Sequence, residues 1–397
     1  MAKPKLAYIP ATIGDKVYSI LPSNGVGDFD FTRGTVATRI NAQGLIEEVA
    51  SGENRLNYSL LDGEVVGCPH LLLEPARTNL IQYSEDFSQY SDVSGADIFA
   101  NTTISPDGTL NASRVSFGSS EFSRIFINTS TSSNTYTFTL YAKSDTSKKF
   151  RFRISDTSGT QYSEDFITTS KWQRFSYEFI GDPSTCAICN SSDSNSGSID
   201  IYGFQLEEGS FPTSYIPTNG EVNGVTRAAE TCYDSGDAAT FNDSEGVLMA
   251  EISAFEDTMN FEAITLSDGT TNNEVRLYFS STQNKLSYNL KVNGATQLDG
   301  ALVDVVFKNN NKILIKYKQN NSSLWVNGFK LLSYNILDVF SNNVLNEISF
   351  SRGNGSTPFY GNTKQLQYFD TTDINLEQLT SWDSFRAMAE GQQYNIE

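Results

Sequence analysis

From residue 86 onward the chain alternates, residue by residue, between apolar and polar side chains. Tyr136, Phe138, Leu140 and Ala142 interleave with Thr135, Thr137, Thr139 and Tyr141. Phe150, Phe152 and Ile154 interleave with Arg151 and Arg153, and Phe175, Tyr177 and Phe179 with Arg174, Ser176 and Glu178. Successive side chains of a strand point to opposite faces, so a period of two predicts strands buried on one side. The pattern resumes after residue 241 with Leu248, Ala250, Ile252 and Ala254, then Val275, Leu277 and Phe279, then Leu286, Tyr288, Leu290 and Val292. Polar clusters at 144–147 and 156–159 read as turns, and Asn293-Gly294 and Asn327-Gly328 as tight hairpin turns, because both residue types tolerate the positive φ such turns need. The 26 Phe and 19 Tyr suit pleated surfaces. The reading is an all-β chain with two antiparallel β-sandwiches.

With 397 residues there is room for two to three domains. Residues 1–85 differ from the rest: short apolar runs broken by glycine and proline, with a hairpin expected from Thr35 to Ile40 and from Leu45 to Val49 around the turn at 41–44. A hairpin of that size is marginal alone, so this region is expected to lean on a neighbouring subunit or another protein. A first sandwich is expected over 86–217, a polar connection over 218–240 and a second sandwich over 241–397. A short C-terminal helix closes the chain, with Asn375 as N-cap and Gln378 as its reciprocal partner. Trp382, Phe385, Met388 and Ala389 continue at helical spacing towards a stop at Gly391.

Charge and rare residues narrow the chemistry. Lys+Arg 28 against Asp+Glu 47 gives a net charge of −19, spread along the chain, which argues against an electrostatic grip on nucleic acid or anionic lipid. His70 is the single histidine, which removes most zinc and imidazole-based acid–base chemistry. Cys186 and Cys189 form a lone C-x-x-C, and with Cys68 and Cys232 they are too sparse for a disulfide framework. They fit synthesis in a reducing cytosol. Neither a signal-peptide core nor a membrane-spanning run is visible, so release by lysis is one route out of a cell. Asp268, Asp304 and Asp370 are oxygen donors for calcium in principle, but isolated aspartates in β-turns are ordinarily turn formers, and no metal or cofactor is expected.

Three blocks carry a resemblance. FDFTRGTVATRINAQGLIEEV with CPHLLLEPARTNLIQYSEDFSQY resembles the N-terminal part of structural proteins in tailed-bacteriophage virions. ISPDGTLNASRV through TSKWQRFSYEF to IDIYGFQLEEGSFPTSYIPT is similar to the jelly-roll carbohydrate-binding modules of phage fibres and glycanases. KILIKYKQNNSSLWVNGFKLLS with FYGNTKQLQYFDTTDINLEQLTSW is similar to laminin-G-like or concanavalin-A-like sandwiches. The resemblance implies an N-terminal virion-attachment and oligomerisation region, a jelly roll, and a concanavalin-A-like sandwich. It implies a non-enzymatic head or tail fibre or decoration protein, located in the virion after assembly in the host bacterial cytoplasm. Its partners would be other virion proteins through residues 1–85, further copies of itself (three in the usual fibre) and host-surface glycans, without nucleic acid or membrane insertion.

Trp172, Trp325 and Tyr360 are the candidate carbohydrate-binding residues, because aromatic rings complement the apolar C–H faces of sugars. Strict alternation puts Trp172 with Arg174 and Glu178, away from Phe175, either exposed for stacking or turned inward by a bulge. Trp325 lies opposite Leu324 and Val326, covering a core or lining a groove. Tyr360 sits in a loop beside Gly361. Concanavalin-A-like glycanases place catalytic carboxylates as E-x-D-x-x-E; no glutamate here has that spacing, Glu251 and Glu256-Asp257 coming closest. A depolymerase with carboxylates from distant strands and a purely architectural protein are the alternatives. The basic run at 148–153 alternates phenylalanine with arginine, so its rings are expected inside and its charges solvated, guarding an edge.

Overall fold

The computed structural model describes residues 3–10, 19–257 and 260–382. Apart from one 3-10 turn at Phe87–Gln89 and the helix Leu376–Thr380, the described regular elements are β-strands, paired antiparallel within their sheets. The alternation places its apolar set inside throughout, as period-two side chains must when one face of each sheet is covered.

The middle sandwich has a five-stranded sheet in the order Gln173–Gly181, Asn134–Lys143, Gly197–Glu208, Ala112–Phe117, Asp97–Thr103. Its partner runs Gly159–Tyr162, Lys149–Asp156, Thr185–Asn190, Arg124–Asn128, Ser91–Val93, with Phe166–Ile167 also on Lys149–Asp156. Phe138, Leu140, Phe150, Phe152, Ile154 and Leu206 fill the space between, with the Phe138 ring 5.0 Å from Phe152 and 5.3 Å from Phe204. Fully burying one such ring stabilises by roughly 1.5–3 kcal/mol.

The second sandwich pairs a six-stranded sheet, built on Lys285–Val292 and Glu274–Phe279, with an eight-stranded one. The larger sheet runs Phe329–Tyr334, Ser322–Val326, Asn311–Lys318, Glu245–Ala254, Gly361–Phe369, Glu64–Leu73, Arg55–Leu61. Spatial order therefore departs from chain order. Glu64–Leu73 pairs with Gly361–Phe369 at one end (Leu73 opposite Gly361), and Leu6–Tyr8 pairs with it at the other (Leu6 opposite Tyr368). Leu6, Tyr8, Leu71 and Leu73 lie in the same core as Leu248, Ile252, Leu277 and Tyr288.

The expected hairpin forms between Ala37–Ile40 and Ile46–Val49. Its apolar face, Ile40 and Ile46, rests on Ala112, Tyr141, Tyr202 and Tyr215 of the same chain, so this hairpin already has a surface to lie on within the molecule. The polar connection is likewise pinned at two points: Val225–Arg227 pairs with Arg77–Asn79, and Thr231–Tyr233 with Asp30–Thr32.

Smaller expectations resolve individually. Asn293 and Asn327 take positive φ, 49° and 50°, each followed by a positive-φ glycine. Asn375 accepts from the Gln378 amide at 3.0 Å, and the helix covers Val247, Met249 and Leu314; Phe385, Met388, Ala389 and Gly391 lie outside the described residues. The basic run corrects one reading. Lys149–Asp156 lies inside its sheet, flanked on both sides, so its charges guard no edge. Lys148 is buried, its ammonium donating to Asn190 Oδ1 at 2.6 Å, because Asn190 and the Asn195 carbonyl replace the water it loses.

Candidate functional site

The two sandwiches meet at a buried ionic core. Arg55, at the start of its strand, donates from Nε to Glu230 Oε1 at 2.8 Å and from Nη2 to Glu74 Oε2 at 2.7 Å. Arg33 reaches Glu230 at 2.8 Å, and Arg227 reaches Glu74 at 2.5 Å. Ser214, from the end of the middle sandwich, donates its amide to Glu74 Oε1 at 2.7 Å and accepts from Arg55 Nη1 at 2.6 Å. All five charged side chains are at most 2% exposed. Burial alone would raise the Glu74 carboxyl, but Arg227 and Arg55 outweigh it and hold it down to about 2. Asn79 adds a neutral fastener: Nδ2 donates to the carbonyls of Phe204 and Ile216, and Oδ1 accepts from the amides of Ile81 and Leu206. Glu74 and Asn79 both belong to CPHLLLEPARTNL, so that sequence block is, in space, the joint between the sandwiches.

A cleft of about 200 Å³ opens beside this joint, lined by Pro75, Arg77, Phe211, Phe255, Glu256, Glu262 and Tyr360. Phe211 and Phe255, one from each sandwich, stack at 5.3 Å between centroids and 15° between planes. The Arg77 guanidinium lies 4.9 Å over the Phe211 ring. Gly209, at φ +138°, leaves it room: a Cβ there would come within 2.6 Å of Arg77 Nη2. Ser210 Oγ donates to Glu256 Oε2 at 2.7 Å, and the Asn260 amide donates to Glu262. Burial pushes the Glu262 carboxyl up, and the Glu256 charge adds to the push. Burial, then Glu262 and Glu230, push the Tyr360 phenol up as well. An apolar wall with convergent hydroxyl, carboxyl and guanidinium groups can bind a small polar molecule that has both an apolar face and hydrogen-bonding edges.

Of the three aromatic candidates, Tyr360 alone lines this cleft. Trp172 lies on the outer face of the five-stranded sheet, where alternation put it, and there packs with Tyr141, Tyr202, Tyr215 and the hairpin's Ile46. Its indole N–H donates to the Ile104 carbonyl at 3.0 Å, and the Lys143 ammonium sits 4.9 Å over its ring. Trp325 packs under the short helix with Val247, Met249, Leu376 and Leu379, its N–H on Ser323 Oγ at 3.1 Å. Sequence reasoning did not single out Phe211, Phe255, Arg77, Glu256 or Glu262 as one site; strand alternation reports faces of one sheet, whereas Phe211, Phe255, Glu256 and Glu262 lie outside the strands and Arg77 opens a strand of a separate two-stranded sheet.

A larger hollow of about 390 Å³ lies on the middle sandwich, lined by Glu85, Asp86, Asn101, Asn111, Asn219 and Glu221 among others. Its chief carboxylate is already engaged: Glu85 Oε1 accepts from the hydroxyls of Tyr202 and Tyr215, each at 2.9 Å. Asp268 caps its own turn through Thr270, Asp304 pairs with Lys285 at 2.6 Å, and Asp370 with Lys5 at 3.5 Å. Among the described residues no group of three or more His, Cys, Asp or Glu is placed to hold a metal ion, and no helix is long and apolar enough to cross a membrane. Cys186 enters the middle core while Cys189 takes the other face of their strand. His70 is buried, and burial, with Lys364 adding, brings its imidazole down to about 4, hence neutral at pH 7.

No family model matches the chain, and no curated relative does. Similar solved structures include the CBM40 of the Ruminococcus gnavus IT-sialidase bound to α2,3-sialyllactose: 16% identity, 36% of this chain and 86% of that one, TM-score 0.29. The CBM22-1 xylan-binding domain of Paenibacillus barcinonensis Xyn10C shows 13% identity over 33% of this chain and 92% of that one, TM-score 0.25. The CBM22-1–CBM22-2 tandem of the same Xyn10C shows 10% identity over 76% of this chain and 100% of that one, TM-score 0.27. Likenesses this loose leave the functional reading to the chain's own geometry.

Proposed function

We propose that this chain is a non-enzymatic display protein whose joined sandwiches bind a saccharide in the cleft at Tyr360. The observation that carries the reading is the convergence there of a stacked phenylalanine pair, Arg77, two carboxyls and the Tyr360 hydroxyl. Sugars present apolar C–H faces to rings and paired hydroxyls to planar polar side chains. The ionic joint keeps the two halves of the cleft in register, so binding does not need to order them first.

The setting we propose is a tailed-bacteriophage virion, with the protein as a head or tail fibre or decoration, assembled in the host cytoplasm. The resemblance of the first eighty-odd residues supports it. Contact with other virion proteins then falls to the parts of 1–85 left outward, such as Leu61, which is 64% exposed. Weak saccharide sites gain grip through copy number, which favours a homo-oligomer, a trimer in the simplest case.

The test is a glycan array read with the full chain. Retained signal on one saccharide class, abolished by Tyr360→Ala with unchanged thermal melting, supports the reading; signal indifferent to that change removes it. Light scattering that finds only monomer would remove the oligomer.

A second reading, a glycan depolymerase, draws on Glu256 and Glu262 sharing the cleft with Glu262 pushed up, since hydrolysis uses one protonated and one ionised carboxyl. Reducing-sugar release from host polysaccharide, absent in Glu262→Gln, would establish it over simple binding.

A further inference from the structure

The outward face of the six-stranded sheet in the middle sandwich carries an unrelated arrangement. Its inner strand Thr185–Asn190 turns Cys186 and Ile188 into the core and Thr185, Ala187 and Cys189 outward. On one side Arg124 stands opposite Cys189 and Phe126 opposite Ala187. On the other, Arg151 stands opposite Cys189 and Arg153 opposite Ala187. Small side chains thus separate two arginine-bearing strands about 10 Å apart at two strand spacings, and with Ala187 and Cys189 fully covered the arginines themselves form the outer surface.

The guanidinium planes are held by rings. Tyr162 lies beneath Arg151 at 4.3 Å and Arg153 at 6.0 Å, and Arg124 lies 5.8 Å over Phe126. Glu121 pairs with Arg151 at 3.1 Å. Arg124 donates to the Phe122 carbonyl at 3.1 Å and Arg153 to Thr160 Oγ1 at 3.3 Å, and among the described residues neither has a carboxylate partner. The Nε–H groups of all three are sealed from water without an acceptor, which leaves binding capacity at the outward Nη edges. Burial and then the Arg153 charge hold the Arg124 guanidinium below its ordinary value, as expected where like charges crowd. In a chain of net charge −19, such crowding of cations invites an anion.

We propose that this arginine face binds an acidic saccharide, its carboxylate or sulfate held between Arg124 and Arg153. Guanidinium forks match the planar carboxylate and the oxygens of sulfate. An anion there also relieves the repulsion between the two arginines. Nucleic acid fits less well: the arginine face offers few phosphate contacts, the whole chain repels a long polyanion, and the Tyr162 ring that would stack a base is already beneath Arg151.

The test titrates the full chain, at low ionic strength, with oligogalacturonate, dextran sulfate, neutral dextran and single-stranded DNA. Binding of oligogalacturonate or dextran sulfate but not neutral dextran is expected, and whichever binds more tightly identifies carboxylate or sulfate as the group held. The double change Arg124→Gln with Arg153→Gln, made in a Tyr360→Ala background so that the cleft does not contribute, should weaken it by about tenfold or more. Should the double variant fail to melt cooperatively, Arg124→Lys with Arg153→Lys keeps the charge and loses the fork, and should weaken binding less than the loss of both charges would, but measurably. Three results overturn the proposal: no binding to either acidic glycan, binding indifferent to both double variants, or tighter binding to the DNA than to either glycan. Because the Tyr360 cleft is read separately by its own variant, either site can fail without the other.

Discussion

Arg55 and Glu230, 175 residues apart in sequence, face each other as a two-pronged ion pair with no solvent access to either side chain. Nothing local brings them together. Arg55 opens a strand of the larger sheet, and Glu230 lies in the connection between sandwiches, so the pair exists only when the N-terminal segment has joined that sheet and the connection has closed over it. Glu74 and Arg227 extend it, and each charge removed leaves others buried and uncompensated.

Arg55→Leu should therefore destabilise the whole molecule by about 3–5 kcal/mol, the usual cost of orphaning a buried charge. Urea unfolding measures it. A loss under about 1 kcal/mol would mean that the joint is solvated in solution.

Asn79→Ala should cost about 2 kcal/mol or more, since it strips partners from two buried amides and two buried carbonyls. Hydrogen exchange should locate the damage at the Ile81 and Leu206 amides. Unchanged protection there would show that water replaces the side chain.

Acid should weaken the fold in two overlapping windows. His70 is down at about 4 when folded and ordinarily near 6.5, so between those values the unfolded chain takes up a proton that the folded chain refuses, and stability falls as pH falls. Glu74 is held at about 2 against an ordinary 4.5, so its contribution is full above that ordinary value and is lost as pH falls towards 2. Each amounts to about 3 kcal/mol at most. His70→Gln should flatten the slope of melting temperature between pH 6.5 and 4 while leaving the lower window intact.

Trp325→Ala should destabilise by about 2 kcal/mol, because the ring holds the short helix on Val247 and Met249. Trp172→Phe should cost about 1 kcal/mol with the loss of the bond to Ile104. Neither should alter saccharide binding at Tyr360. A glycan array run on both variants checks this, and loss of signal in either would return that tryptophan to the list of ligand contacts.

Strand faces were legible because a period of two is written in consecutive residues. Phe138, Phe152, Leu277 and Leu290 lie inside where alternation put them, and Trp172 and Trp325 lie on the faces it assigned. What covers those outer faces was not legible. A hairpin from residues 37–49 overlies Trp172 and a helix from 376–380 overlies Trp325, and neither contact has any periodic trace. Lys148 was misjudged for a related reason: alternation reports which way a side chain leaves its strand, not whether Asn190 waits to receive it.

By itself the sequence determined the β class, the two cores and the tight turns, since each follows from interactions among neighbours a few residues apart. Only the tertiary structure decided that Leu6–Tyr8 and Glu64–Leu73 complete the C-terminal sheet, that Arg55, Glu74, Arg227 and Glu230 form one joint, and that Tyr360 meets Phe211 and Arg77 in a cleft. The physical reason is that edge pairing and buried charge pairing depend on which distant segments arrive together, and a single chain of letters carries no record of that arrival.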